Sequence, residues 1–99
     1  MIDLAAIEGF DWDDGNARKN LDKHGVSQTE AEQVFASEPL IAMDFRHSEA
    51  EARFQALGET SEGRPLHVTF TLRSDGKKIR VISARDMNRK ERAIYGQEA

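Results

Sequence analysis

The sequence predicts an α+β fold with two N-terminal helices, an antiparallel sheet of three or four strands, and one C-terminal helix. Three observations predict it: capped helical segments before Pro39, clean alternation of apolar and polar residues from Leu66 to Leu72, and the turn sequence Ser74-Asp75-Gly76. Helices that precede a run of strands, instead of alternating with them, are typical of α+β proteins. The chain has 99 residues, so we expect one domain over 1–99.

The two N-terminal helices are predicted from the residues at their ends. An aspartate at position 13 or 14 can cap a helix that runs to about His24, and Gly25 suits the left-handed residue that ends a helix. Ser27-Gln28-Thr29-Glu30 then has the form of a capping box, in which the serine and the glutamate each bind a backbone amide. The second helix ends before Pro39, because proline cannot continue it.

After Pro39 the chain changes to the two-residue period of β-strands. We expect strands at about 40–46, 53–60, 65–73 and 78–84, with the last two joined by a hairpin turn. Asp86 can cap a final helix that runs to about Tyr95, with Gly96 beyond it. An edge of such a sheet can pair with a second copy, giving a homodimer, or with a strand of a partner protein.

Charge is unevenly distributed along the chain. Lys and Arg total 14 and Asp and Glu total 18, a net charge of -4 that by itself argues against a nucleic-acid-binding protein. However, 1–63 carry five basic and fourteen acidic side chains, whereas 64–95 carry nine basic and three acidic ones. This second part is therefore suited to a face that binds a polyanion, with an ordinary charged surface as the alternative.

Several classes of chemistry are excluded or disfavoured by composition. The chain has no cysteine, which excludes disulfides, thiol catalysis and cysteine-ligated zinc. Its three histidines lack carboxylates at ligand spacing, and it has no glycine-rich phosphate loop, so we expect no metal and no cofactor. No apolar run approaches the ~20 residues of a membrane span, and the N-terminus lacks the features of a signal peptide. We therefore expect a cytoplasmic protein that does not bind membranes.

Three segments carry a resemblance to a known family. The first is Phe10-Asp11-Trp12-Asp13 with 20–27 (Asn-Leu-Asp-Lys-His-Gly-Val-Ser), the second is 47–54 (His-Ser-Glu-Ala-Glu-Ala-Arg-Phe) with Gly58, and the third is 80–85 (Arg-Val-Ile-Ser-Ala-Arg) with 89–92 (Arg-Lys-Glu-Arg) and Tyr95. Together they resemble the BrnT family of toxins from type II toxin–antitoxin systems. The sequence departs from that pattern at Gln28, where a Phe is common, and at Asp86 and Met87, where a basic and a small residue are usual.

The resemblance implies a RelE-like ribonuclease fold that cleaves RNA and inhibits translation. It also implies a BrnA-like antitoxin with a ribbon-helix-helix DNA-binding part. Toxin and antitoxin in that family form a heterotetramer that represses its own operon, so operator DNA is contacted only through the antitoxin.

The candidate site residues are those suited to metal-free RNA cleavage, in which the 2′-hydroxyl of RNA is the nucleophile. Arg53, Arg80 and Arg85 are the predicted phosphate-binding residues, because a guanidinium can hold two phosphate oxygens and stays charged. If their strands are neighbours, the three converge on one sheet face. Lys23 and His24 are the predicted phosphate ligand and proton-transfer residue, although cations at a helix end also complement the helix dipole.

The remaining candidates are weaker. Arg89, Arg92 and Tyr95 on the last helix are predicted to bind RNA, although a Tyr near a helix end commonly packs its ring on the sheet. His47 and His67 are secondary proton-transfer candidates, and we expect His67 to be solvated on the polar side of its strand.

Two functional hypotheses follow. The first is a metal-independent endoribonuclease that is silenced by its antitoxin. The second is a non-catalytic module that binds a DNA-binding antitoxin and tunes operon repression. A small α+β domain with an unrelated partner remains a third explanation.

Overall fold

The computed structural model describes residues 2–47 and 50–98, with the side chains of residues 47 and 98 outside the description. The helices are α1 (Asp14–His24), α2 (Gln28–Ala36) and α3 (Arg89–Glu98), and two single turns of 3-10 helix lie at Leu4–Ala6 and Phe45–His47. The strands are β1 (Gly9–Phe10), β2 (Leu40–Met43), β3 (Arg53–Glu59), β4 (Pro65–Arg73) and β5 (Lys78–Asp86). None of the helices in the described ranges has the length and apolar character to cross a membrane.

The five strands form one mixed sheet in the order β1-β5-β4-β3-β2. The strands from β2 to β5 are antiparallel, as predicted, but β1 pairs with β5 in parallel. The prediction of a purely antiparallel sheet of three or four strands was therefore wrong. Backbone bonds from Glu8 N to Lys77 O (2.6 Å) and from Asp11 N to Ile79 O (2.8 Å) extend this short pairing. A two-residue strand has no detectable period, which is why the sequence did not reveal it.

The predicted ends of α1 and the predicted start of α2 are confirmed, whereas α3 runs past the predicted end at Tyr95 and Gly96 to Glu98. Asp13 accepts from the Asn16 amide at 3.0 Å, and Asn16 Oδ1 accepts from the Asp13 amide at 2.8 Å, so that the two residues form a reciprocal cap. Ser27 and Glu30 form the predicted capping box of α2. Gly25 ends α1 with φ of 65°, a left-handed conformation that glycine adopts without a side-chain clash.

One face of the sheet is covered by α1 and α2 and contains the hydrophobic core. Its fully buried apolar residues come from α2, from the connection between α1 and α2, and from the three central strands: Val26, Ala31, Val34, Ala56, Leu66, Val68, Phe70, Ile79, Val81 and Ala84. Phe35 packs edge-on against Phe70, with ring centroids 5.0 Å apart. At Gly58 an added Cβ would lie 2.9 Å from Val34 Cγ1, so glycine allows α2 to approach β3 closely.

Helix α1 is attached to β5 by buried amides as well as by apolar contact. Asn16 Nδ2 donates to the Val81 carbonyl at 3.0 Å, and Asn20 Oδ1 accepts from the Ala84 amide at 2.9 Å. Val81 and Ala84 face the same side of the sheet, although they are three positions apart, because β5 contains a β-bulge. Val81 pairs with Phe70 and Ser83 pairs with Thr69, so Ile82 is the extra residue. As a consequence, Arg80 and Ile82 face away from the helices while Ala84 faces the core.

The end of β5 differs from the prediction. Asp86 is the last residue of β5 rather than a helix cap, and its carboxylate accepts from Arg64 Nε at 2.7 Å. The cap of α3 is Asn88, whose Oδ1 accepts from the Glu91 amide at 2.8 Å. Asn88 rather than Asp86 caps α3 because β5 continues two residues further than its apolar pattern indicates.

Candidate active site

The sheet face opposite α1 and α2 is polar and is only partly covered by α3. Strand register arranges its side chains in rows that cross β3, β4 and β5. One row is Arg53, Thr71 and Arg80, the next is Gln55, Thr69 and Ser83, and the third is Leu57, His67 and Arg85. We call this surface the open face. All three predicted phosphate-binding arginines lie on it.

Arg80 lies at the edge of the open face, beside the start of α1. Its Nη2 donates to Asp13 Oδ2 at 2.9 Å, and its Nη1 lies 3.6 Å from Asp11 Oδ1. The pKa of Asp13 is lowered, first by its hydrogen bond from the Asn16 amide and next by that from Arg80. Arg80 therefore already binds an oxyanion in the free protein, and about a quarter of its side chain remains exposed.

Arg80 borders a hollow of about 310 Å³ whose charged lining residues are mostly basic. Its charged lining residues are Lys19, Glu51, Arg53, Arg73 and Arg80. Arg73 is ion-paired with Glu51. Four cations against one carboxylate give this hollow the sign of charge that suits a phosphate group.

Arg85 lies at the other end of the open face, where α3 crosses the sheet. Its two terminal nitrogens bind Glu91 Oε1 and Oε2 at 2.8 and 2.9 Å, a bidentate pair. Donating these bonds to the Glu91 carboxylate raises the pKa of Arg85. Burial raises the pKa of Glu91, but its bonds from Arg85 and from the Asn88 amide outweigh burial, so the net shift is downward.

His67 lies next to this pair and is buried, with only 6% of its surface exposed. Its Nε2 is 3.7 Å from Glu91 Oε2. Burial, followed by the charge of Arg85, lowers the pKa of His67, while Glu91 and Asp44 act in the opposite direction. The expectation that His67 is solvated was wrong, because Glu91 of α3 covers it from a distant part of the chain.

A second groove, of about 350 Å³, joins these two ends of the open face. Arg53, His67 and Arg85 all line it, together with Asp44, Gln55 and Thr69. Arg53 is thus common to the 310 Å³ hollow and to this groove. The groove therefore has Arg53 at one end, and Arg85 with the adjacent His67 at the other.

The predicted residues on α3 lie beside the groove rather than in it. Arg89 and Arg92 are exposed, and Arg92 Nη1 donates to the Met87 carbonyl at 2.7 Å. Tyr95 is half-buried, and burial, followed by the nearby Glu59, raises its pKa.

Lys23 and His24 are placed far from Arg80. Arg80 binds Asp13 at the start of α1, whereas His24 is the last residue of that helix, about 15 Å away at 1.5 Å per residue. The His24 carbonyl faces Arg64, which also binds Gly25 O, Glu30 and Asp86. The structure therefore does not bring Lys23 and His24 together with Arg80, and their chemical role stays a prediction.

Two further features concern ligands. Among residues 2–47 and 50–98, no group of three His, Asp or Glu side chains is placed to hold a metal ion. The side chain of His47, and Ser48 and Glu49 of the second family segment, lie outside the described residues. A wider hollow between α1 and α2 is lined by Asp14 and Asp22 against Arg18, so it lacks the basic character of the open face.

The fold and the open face together define a small α+β protein with arginines displayed on one face of its sheet. A family model described as the ribonuclease toxin BrnT of type II toxin–antitoxin systems matches residues 12–91. This match covers most of the chain, and the chain therefore belongs to the BrnT family of ribonuclease toxins.

A solved structure agrees with this assignment at the level of the fold. The crystal structure of the Brucella abortus ribonuclease toxin BrnT matches with a TM-score of 0.58 and 22% sequence identity, over 82% of this chain and 97% of that chain. No curated protein sequence matches the chain.

Proposed function

We propose that this chain is an endoribonuclease that cleaves RNA without a metal ion and thereby inhibits translation. The observation that carries the proposal is the open face, which has Arg53 and Arg80 at one end and Arg85 at the other. The basic 310 Å³ hollow and the adjoining groove supply room for an RNA backbone.

Arginine chemistry fits the task. Cleavage of RNA by its own 2′-hydroxyl builds negative charge on the phosphate, and fixed guanidinium groups stabilise that charge. Arg80 and Arg85 each bind carboxylate oxygens of this chain, so phosphate binding exchanges one oxyanion for another at the same donors. The exposed Arg89 and Arg92, together with Tyr95, extend the binding surface along α3.

The partner and setting proposed here follow from the toxin–antitoxin family. We assign the chain a BrnA-like ribbon-helix-helix antitoxin, a heterotetrameric complex with it, and contact with operator DNA only through it. The RelE-like classification of the fold and a place in the cytoplasm, where translation occurs, belong to the same proposal.

The test is cleavage by the purified protein in excess chelator. The substrate is an oligoribonucleotide, and the matched control has the same sequence with every 2′-hydroxyl methylated. We expect cleavage of the first alone, with 2′,3′-cyclic phosphate and 5′-hydroxyl ends. Cleavage only after a divalent metal is added would disprove metal independence. A folded protein that never cleaves but binds its antitoxin would favour the non-catalytic module.

A further inference from the structure

His67 lines the groove that runs between Arg53 and Arg85, and it lies at the Arg85 end. It lies on β4, directly between Leu57 of β3 and Arg85 of β5, and it borders both the 350 Å³ groove and an adjoining groove under α3. Histidine is the side chain whose ordinary pKa suits proton transfer near neutral pH.

The groups around His67 come from four elements. Arg85 of β5 and Glu91 of α3 are its charged neighbours, Asp44 follows β2, and Arg53 of β3 lines the same groove. The distance of 3.7 Å between His67 Nε2 and Glu91 Oε2 exceeds that of a hydrogen bond, so the imidazole ring does not form a hydrogen bond with Glu91. Burial and Arg85 lower the pKa of His67, so the ring is neutral at pH 7 and holds one nitrogen free to accept a proton.

We propose that His67 is the general base of the RNA cleavage, with Glu91 as the positioning residue that stabilises the imidazolium once it forms. This inference rests on the proposed ribonuclease activity and assigns its proton-transfer step. The unprotonated ring nitrogen accepts the proton of the 2′-hydroxyl while the 2′-oxygen forms a bond to phosphorus. The bond from phosphorus to the 5′-oxygen breaks, and that oxygen takes a proton from water. The imidazolium then returns its proton to the hydroxide that remains.

The roles of Glu91 and Arg85 follow from their geometry. Glu91 is held by both terminal nitrogens of Arg85, so its carboxylate is fixed on the side of the ring that becomes positively charged. A negative charge at that distance favours the imidazolium over the neutral ring. Arg53, at the other end of the groove, is placed to hold the phosphate.

The experiment compares His67→Ala with wild type and with Val68→Ala in excess chelator. Val68 is the next residue on β4 and is fully buried on the helix-covered face, so its truncation reports the effect of lost packing alone. We expect His67→Ala to cleave about 100-fold more slowly, the scale of a missing general base, and to bind 2′-O-methyl RNA as wild type does. Val68→Ala should retain the wild-type rate at a temperature where it is folded.

The pH profile separates a proton-transfer role from a structural one. The wild-type rate should rise with pH through the lowered pKa of His67 and then level off, and this rise should be absent in His67→Ala. Added imidazole should restore part of the lost rate. If His67→Ala does not fold, His67→Gln keeps similar size and polarity without the titration and should show the same loss.

The possible results are distinct. Wild-type cleavage with an equally active and folded His67 variant would overturn the assignment of His67 and leave the ribonuclease proposal standing. A wild-type protein that cleaves no RNA would overturn both.

Discussion

Arg53 and Arg80 lie in one row across the open face, on either side of Thr71. Each is the register partner of Thr71, so their α-carbons are two inter-strand spacings, about 10 Å, apart. The side chain of Thr71, the central residue of the row, is held in place because its Oγ1 donates to the Ala52 carbonyl at 2.7 Å. Two long guanidinium side chains at this separation can contact the same phosphate or neighbouring ones.

The first prediction concerns the salt dependence of RNA binding. Each phosphate contact with a single strand lowers the logarithm of the binding constant by about 0.7 per tenfold increase in salt. Arg53→Ala and Arg80→Ala should each reduce the slope by about that amount when binding of 2′-O-methyl RNA is measured at several salt concentrations. Arg18→Ala is the matched control, because Arg18 is exposed on the helix-covered side, and its slope should equal that of wild type. If the salt dependence of binding is unchanged in both open-face variants, RNA binds to another surface of the protein.

A second prediction concerns the pH dependence of stability through Arg64. Arg64 connects Glu30, Asp86 and the end of α1, and its hydrogen bonds are the main cause of the lowered pKa of Asp86. A carboxyl whose pKa is lowered by folding stabilises the protein above its unfolded-state pKa, and the contribution is lost as pH falls through the folded-state value. The difference in Tm between wild type and Arg64→Ala should therefore shrink between about pH 6 and pH 3. A constant difference over that range would contradict this account.

The third prediction concerns the buried amide that joins α1 to the sheet. Asn20→Ala would leave the buried Ala84 amide without its acceptor and would open a small cavity. We expect the free energy of unfolding in urea to fall by about 2–3 kcal/mol. An exposed change on the same helix, Arg18→Ala, should alter it little. A loss for Asn20→Ala no larger than that of the control would show that the amide is not needed.

The fourth prediction concerns the close approach of α2 to β3. In Gly58→Ala the new methyl would lie 2.7 Å from Ser37 Oγ and 2.9 Å from Val34 Cγ1, so we expect a loss of about 1–3 kcal/mol in stability. Gly96→Ala is the control, since an added Cβ there meets nothing within 4 Å and alanine favours a helix. Equal effects of the two substitutions on the urea midpoint would contradict the packing described.

Features that depend on neighbouring residues could be predicted from the sequence. The caps at Asp13 and Ser27 act within three residues, and the alternation in β4 is continuous, so both were predicted correctly. The parallel strand β1 was missed because it spans two residues. The bulge at Ile82 was missed because an extra residue in a strand leaves no mark on composition.

The candidate site likewise has features that the sequence predicts and features that it does not predict. The sequence prediction took β3 and β5 as neighbours, whereas both strands pair with β4, and this pairing places Arg53 and Arg80 on one face. Arg85 shares that face with Arg80 only because of the bulge at Ile82. The burial of His67 could not be predicted, because it is covered by Glu91, which is distant in sequence and also forms the bidentate pair with Arg85. Nor could the distance between His24 and Arg80 be read from either segment alone.

The most direct test of the central claim is the rate of RNA cleavage by Arg80→Ala beside Arg18→Ala, both in excess chelator. Loss of one donor to the developing phosphate charge costs about 100-fold or more in rate, so Arg80→Ala should fall by that factor while its circular dichroism stays that of wild type. Arg18→Ala should cleave as wild type does. A folded Arg80→Ala that cleaves RNA at the wild-type rate would contradict the account.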